Sequence, residues 1–154
     1  MSIMTNTSMM WKDRFSRPTE ADLLGGLTRE CRRLIERVHS KCEAIEAGQR
    51  RVLWHGIPWR WTIEISLNNG EPLAFVISEP GRPQLAVPLD ATDLDRLPMR
   101  RLSKGVREGI LGARAVGNTL WPEWELTSNT QVDELMILVR VRAEGLGMGN
   151  DSSV

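Results

Sequence analysis

The chain has 154 residues, of which 41% are hydrophobic and 26% are charged. This length fits a single domain, and the composition is that of a globular protein. Twenty Lys and Arg residues balance twenty Asp and Glu residues, so the net charge is zero. A protein that binds nucleic acid through a general excess of positive charge is therefore not expected. The aromatic content is unusual, with six Trp, two Phe and no Tyr.

Signals for a membrane or for secretion are also not expected. The longest apolar run, residues 73–77, is far shorter than the roughly 20 residues that a membrane span requires. The N-terminus lacks the charged start and apolar stretch of a secretory signal.

Cys31 and Cys42 lie on one predicted helix, roughly 16 Å apart, which is too far for a disulfide. We therefore expect reduced thiols, a cytoplasmic protein and no association with membranes.

The sequence predicts one folded domain between two unstructured segments. Residues 1–17 mix Met, Ser, Thr and Asn without periodicity, and they are predicted to be a flexible N-terminal segment. Residues 18–143 are predicted to form a single α+β domain. Residues 144–154 are rich in Gly, Ser, Asn and Asp, and they are predicted to be a disordered tail.

The predicted domain begins with two helices. Thr19 stands where an N-cap is expected, and acidic residues follow it over the first turn of a short helix. A longer helix is predicted from about Leu27 to Ala47, with Gly48 as its stop. His39 lies beside the apolar face of this helix and is predicted to have a structural or surface role. The apolar face consists of Leu27, Cys31, Leu34, Ile35, Val38, Cys42 and Ile45.

A β-sheet meander is predicted next. Apolar and polar residues alternate strictly from Trp59 to Leu67, which indicates a half-buried antiparallel strand with a polar outer face. Asn69 and Gly70 favour a tight turn after this strand, because both accept positive φ angles. The predicted strands cover residues 52–54, 59–67, 73–77 and 85–89.

The second half of the domain is less regular. The acidic stretch 90–95 predicts the start of a helix or a turn, and a helix is predicted within residues 98–115. Residues 121–126 are predicted to form a strand. Two patterns conflict over residues 131–143, because early acids and late arginines favour a helix, whereas alternating β-branched residues favour a strand. We predict a helix there.

Two segments resemble the YdhG-like group of small bacterial domains of unknown function. Pro18-Thr19-Glu20 opens the first helix, and Trp54-His55-Gly56-Ile57-Pro58-Trp59 resembles that group's aromatic-x-Gly-hydrophobic-Pro-aromatic segment. The resemblance covers roughly residues 17–143. It implies an α+β fold in which a curved antiparallel β-sheet meander has helices packed on one face. Some members of the group are described as frataxin-like iron chaperones, so iron binding is a function that the resemblance implies.

The tryptophans around the Gly-x-Pro break are the main candidate for a site. Two interpretations stay open: these side chains fill the core, or some of them line an apolar pocket between sheet and helix. For the pocket, the irregular backbone at residues 56–58 would form the rim. The candidate ligand-binding residues are Trp54, His55, Trp59, Arg60, Trp61 and Trp124.

The sequence holds no established catalytic signature, so we expect a non-enzymatic binding or interaction module, whose partner is an unidentified small molecule or protein. The two His and two Cys residues do not have the spacing of metal ligands, and we expect neither a bound metal nor a cofactor. Two alternatives remain: the iron chaperone, and an enzyme that uses His55 with Glu64 or Glu79 as acid and base. The oligomeric state is left open.

Overall fold

The computed structural model describes residues 10–45 and 47–151 of the chain. The predicted flexible residues 1–9 and the tail residues 152–154 lie outside the described part. Residues 10–12 are helical. The further helices are α1 (Glu20–Gly25), α2 (Arg29–Glu43), α3 (Ala91–Arg96), α4 (Lys104–Leu111) and α5 (Asn129–Asp151), with a 3-10 helix at Met99–Arg101. The strands are β1 (Ala47–Trp54), β2 (Trp61–Leu67), β3 (Pro72–Ile77), β4 (Gln84–Ala86), β5 (Leu89–Asp90), β6 (Arg114–Val116), β7 (Thr119–Trp121) and β8 (Glu123–Glu125).

Within the described residues, the strands form two antiparallel sheets. The larger sheet has five strands in the order β1-β2-β3-β4-β8, so its first four strands form a meander. The smaller sheet has three strands in the order β5-β7-β6. Helices α2 and α5 contact each other, and they contact β1 and β3, respectively. The predicted α+β fold, with helices packed against an antiparallel meander, is confirmed.

One row of apolar side chains crosses the whole larger sheet. Val52, Ile63, Val76, Leu85 and Trp124 are paired in register from β1 to β8, and all five are buried. Side chains that pair across antiparallel strands lie on the same face and pack against one another. This row therefore forms the sheet's contribution to the hydrophobic core.

The prediction of a polar outer face on β2 is wrong, because Thr62, Glu64 and Ser66 are all buried. The Thr62 hydroxyl donates to the carbonyl oxygen of Trp59 at 3.4 Å. The Glu64 carboxylate accepts from Arg51 at 2.8 Å and from the Ser66 hydroxyl at 3.4 Å. The polar residues of this strand thus have partners inside the protein, which is the condition for burying them at acceptable cost.

The element boundaries in the first half differ from the prediction at two places. Gly48, predicted to end the long helix, lies within the eight-residue strand β1, at a shift in the register of its pairing with β2. Strand β2 begins at Trp61 and not at Trp59. Gly56 (φ 75°) and Arg60 (φ 60°) adopt left-handed backbone conformations, which are incompatible with an extended strand. The segment between these residues is therefore a loop.

In the second half, the helix predicted within residues 98–115 is divided into the 3-10 helix and α4, and β6 follows at Arg114. The strand predicted at residues 85–89 is divided between β4 of the larger sheet and β5 of the smaller one. The strand predicted at residues 121–126 is divided as well. Pro122 has no N–H to donate to a ladder, and the flanking strands β7 and β8 belong to different sheets. The acidic start of a helix is confirmed, since the Asp90 carboxylate accepts from the backbone N–H of Asp93 at 2.8 Å and caps α3. The helix predicted at residues 131–143 is confirmed within α5.

Both ends of the described chain contact the domain. Trp11 belongs to the segment predicted to be flexible, but its side chain is buried, and the Arg60 guanidinium lies 5.4 Å from its ring centroid. At the other end, α5 runs through the predicted start of the disordered tail as far as Asp151. Glu144 in this stretch pairs with Arg96 of α3 at 2.8 Å, which ties the helix to the body of the domain. In residues 10–45 and 47–151, none of the helices combines the length and apolar character that crossing a membrane demands.

Candidate functional site

A cavity of about 770 Å³ lies where the loop after β1, the C-terminal end of α4 and strands β6 to β8 meet. Its apolar wall includes Pro58, Trp59, Val116 and Trp121. This volume falls within the roughly 300–1,000 Å³ range of cavities that bind small molecules. The cavity therefore has the size and the lining of a ligand site.

Three aromatic rings form a compact cluster beside this cavity. The ring centroids of Trp59, Phe75 and Trp121 lie 5.5, 5.6 and 6.0 Å apart in the pairs 59–75, 75–121 and 59–121. The His55 ring packs edge-on against Phe75, with centroids 5.3 Å apart. Phe75 is buried, whereas Trp59 and Trp121 are half-buried and line the cavity. We call Trp59, Phe75 and Trp121 the aromatic cluster.

The cavity wall also carries charged groups. Glu123 lies on the same face of the larger sheet as Phe75, because both pair with Ala86 of β4. Its carboxylate accepts a hydrogen bond from the Trp59 indole at 2.5 Å. Glu108 and Arg114 complete the charged part of the wall. The site thus combines apolar surface with a few charged groups, as ligand cavities generally do.

His55 lies at the cavity without a partner that would make it an acid–base pair. Burial lowers the pKa of His55, and the Glu64 carboxylate opposes this effect. Glu64 is itself bound to Arg51. Among the hydrogen bonds and ion pairs of the described residues, none joins the His55 ring to Glu64 or Glu79. The structure therefore brings His55 to the aromatic cluster and not to a carboxylate.

The other predicted site residues lie elsewhere. Trp61 is buried and donates its indole N–H to the carbonyl oxygen of Asp13 at 2.6 Å. Trp54 packs edge-on against Trp61, with centroids 5.5 Å apart. Trp124 is buried, and its indole donates to the carbonyl oxygen of Val106 in α4 at 3.2 Å. The Arg60 guanidinium lies over the Trp11 ring. Of the six predicted residues, His55 and Trp59 line the cavity.

Sequence reasoning missed Phe75, Trp121 and Glu123, and it also missed Glu108, Arg114 and Val116 in the wall of the cavity. The sequence pattern predicts Trp121 and Trp124 on one strand, and the signal against this is Pro122, which ends one ladder before the next strand begins. Phe75 and Glu123 are brought together by the strand order of the larger sheet, which local sequence patterns do not specify.

A second, smaller cavity of about 290 Å³ lies between α2 and β1 and is lined by Glu20, His39, Cys42 and Arg50 among others. Here His39 is buried, and its Nδ1 lies 3.4 Å from Glu20 Oε1. Arg50 binds Glu20 at 3.1 Å. Burial lowers the pKa of His39 to about 4, with a further contribution from Arg50, and burial raises the pKa of the Cys42 thiol to about 12. At neutral pH this thiol is protonated, and so it is not a nucleophile.

In the part of the chain that the structure describes, His, Cys, Asp and Glu side chains form no group of three or more that could hold a metal ion. The iron-binding hypothesis therefore has no donor set in these residues and stays a prediction.

Comparisons of the chain with protein-family models, with curated proteins and with solved structures find no match. The resemblance to the YdhG-like group thus stays a prediction. Function has to be inferred from the site itself.

Proposed function

We propose that this protein is a non-enzymatic binding module that takes a small organic molecule into the cavity beside the aromatic cluster. The observation that carries the proposal is the pair of half-buried indoles, Trp59 and Trp121, at the wall of a cavity of about 770 Å³. Large aromatic side chains supply much of the binding energy in ligand sites, because each buries a large area and loses few rotamers.

Two further features support this function. Phe75 is buried behind both indoles and packs against each of them, so the wall is held in place before a ligand arrives. Glu123 accepts from the Trp59 indole and fixes the orientation of that ring. A preformed wall favours affinity, because little conformational entropy is lost on binding.

We place this module in the cytoplasm, as its sequence predicts. Cys31 and Cys42 are both free thiols among the described residues, and reduced thiols are typical of that compartment.

The proposal is tested by NMR of the uniformly ¹⁵N-labelled protein, in which the indole N–H signals are assigned by single Trp→Phe variants. A library of small neutral, cationic and anionic organic molecules is screened at millimolar concentration. We expect binding compounds to shift the signals of Trp59 and Trp121. The signal of Trp61 acts as the internal control, because this indole is bonded inside the core to the carbonyl oxygen of Asp13. A library in which no compound shifts the Trp59 or Trp121 signal would overturn the proposal.

A variant pair tests the same site by affinity. We expect Trp121→Ala to weaken the binding of any such compound by about tenfold or more, since the indole forms part of the wall. Trp54→Ala is the matched control, because Trp54 packs on Trp61 away from the cavity. Equal losses in the two variants would place the binding site elsewhere.

A further inference from the structure

We propose that the ligand of this cavity is an organic cation: a quaternary or protonated amine carried on an apolar body. This inference rests on the proposed function, since it concerns the same cavity. It goes beyond that function because it names the charge that the cavity selects.

The charged groups of the wall favour a positive ligand. Glu108 and Glu123 contribute two carboxylates, and Arg114 contributes one guanidinium. Glu108 is 63% exposed and stands at the rim, where its ion pair with Lys104 at 3.9 Å offsets part of its charge. Glu123 is oriented by the Trp59 indole, which binds one of its oxygen atoms. The second oxygen of that carboxylate is not used by the Trp59 hydrogen bond, so it can accept from a cation beside the aromatic cluster.

The backbone of α4 adds a partial negative charge to the same wall. Gly109, Gly112 and Ala113 line the cavity at the C-terminal end of this helix. The last carbonyl groups of a helix have no partner within it, and they concentrate the negative end of the helix dipole. Two of these carbonyls, those of Glu108 and Ile110, accept from Gly112 and Ala113. The dipole of the whole helix nevertheless points its negative end at the cavity.

The indoles provide the third attraction. A cation within about 6 Å of an indole centroid is attracted by the negative face of the ring, and Trp is the best of the aromatic residues for this interaction. The centroids of the aromatic cluster lie 5.5 to 6.0 Å apart, so in the plane of the three centroids the equidistant point is only about 3.3 Å from each. Contact distances of roughly 3.5–4.0 Å leave no room there. The cation therefore lies outside the triangle of rings, on the surfaces of Trp59 and Trp121 that line the cavity.

His55 does not oppose this charge at neutral pH. Its ring borders the cavity, and burial lowers its pKa from 6.5. The ring is therefore neutral at pH 7 and contributes an aromatic edge rather than a positive charge.

The test compares choline with 3,3-dimethylbutan-1-ol, its neutral carbon isostere, in the same NMR titration of the indole signals. Both probes have the same shape, so a difference in affinity reports on charge. We expect choline to shift the Trp59 and Trp121 signals with an affinity at least about threefold higher than that of the alcohol. We expect the difference in affinity between choline and the alcohol to decrease as NaCl is raised to about 0.5 M, because salt screens charges at the rim.

Variants of the charged residues in the cavity wall test the same inference. We expect Glu108→Gln to weaken choline binding by about two- to fivefold and Arg114→Gln to strengthen it by a similar factor, with the alcohol unaffected in both. Opposite effects from two rim residues are not produced by a loss of structure. Glu125→Gln is the matched control, since Glu125 lies on β8 with Glu123 and contacts Arg82 at 3.7 Å outside the cavity.

Each outcome of these titrations either supports or overturns the inference. Tighter binding of choline, with opposite effects of the two rim variants, supports the inference. Equal or tighter binding of the alcohol overturns it and leaves the proposed function intact. Failure of both probes, while other library compounds shift the Trp59 and Trp121 signals, also overturns it alone. If no compound at all shifts those signals, the proposed function falls together with the inference.

Discussion

His39 shows how much a single residue depends on its surroundings. The ring is 6% exposed, and its Nε2 is one of the buried polar atoms of the described chain that have no hydrogen-bond partner. The nearby Glu20 carboxylate would stabilise a protonated ring, but Arg50 binds that carboxylate and offsets its charge. Burial therefore dominates, and the pKa falls to about 4. The sequence predicted a structural or surface role from the position of His39 on the helix; only the packing of β1 against α2 decided that the ring is buried and neutral.

This pKa predicts a dependence of stability on pH. The unfolded chain takes up a proton at His39 near pH 6.5, whereas the folded protein takes it up only near pH 4, so stability is full above pH 6.5 and falls as the pH decreases toward 4. Between pH 7 and pH 5 we expect His39 to account for a loss of about 2 kcal/mol. Urea unfolding of the wild type and of His39→Phe at both pH values measures it. The variant should lose less stability over this interval by that amount, and an equal loss would contradict the assigned pKa.

The glycines of helix α4 show that the surroundings of a glycine determine its effect on the stability of a helix. The sequence places glycines at positions 105, 109 and 112 in or next to a predicted helix, where glycine disfavours helix formation. Gly109 lies against the indole of Trp124, and a Cβ at this position would overlap that ring. Gly105 has open space around it. One glycine is therefore required by packing and the other is not, although the sequence pattern treats them alike.

The pair makes a matched experiment within a single helix. We expect Gly109→Ala to destabilise the protein by about 1–3 kcal/mol, because the indole must move and its hydrogen bond to the Val106 carbonyl is disturbed. Gly105→Ala should be neutral or stabilising by up to about 1 kcal/mol, since alanine favours the helix. Thermal or urea unfolding of both variants measures the difference. A Gly109→Ala protein as stable as the wild type would show that Trp124 does not pack on α4 in this way.

At the scale of the molecule, α5 is fastened to the rest of the fold by a buried ion pair. Asp93 of α3 is 2% exposed, and the Arg142 guanidinium lies 3.6 Å from its carboxylate. The same guanidinium donates to the carbonyl oxygen of Pro72 at 3.1 Å. Burial raises the pKa of Asp93, and Arg142 opposes the rise. Arg142 thus joins a helix, a strand and a capping carboxylate from three separate parts of the chain.

A second ion pair on α5 provides the control for testing this contact. Arg37 of α2 binds Asp133 through two hydrogen bonds of 2.9 and 2.8 Å, but both side chains are partly exposed. We expect Arg142→Met to cost about 3 kcal/mol or more, because it leaves the Asp93 carboxylate buried without a counter-charge. Arg37→Met should cost about 1 kcal/mol or less, since water solvates the remaining partner. Unfolding by urea compares the two, and similar costs would contradict the assigned difference in burial.

The sequence by itself determined the elements that local physics specifies. The capped helices, the Asn-Gly turn and the Gly-x-Pro break in a tryptophan-rich segment are encoded by neighbouring residues, and so was the α+β class. It also placed His55 and Trp59 on either side of that break, four residues apart.

Only the tertiary structure decided which tryptophans face the cavity. Trp61 and Trp124 are bonded inside the core, whereas Trp121, from a strand of the other sheet, packs against Trp59 and Phe75. The physical reason is that strand order and register place residues 75, 121 and 123 together across large separations in the chain. Alternation along a strand shows which side chains share a face of the sheet. What packs against each face is determined by parts of the chain that lie far away in sequence.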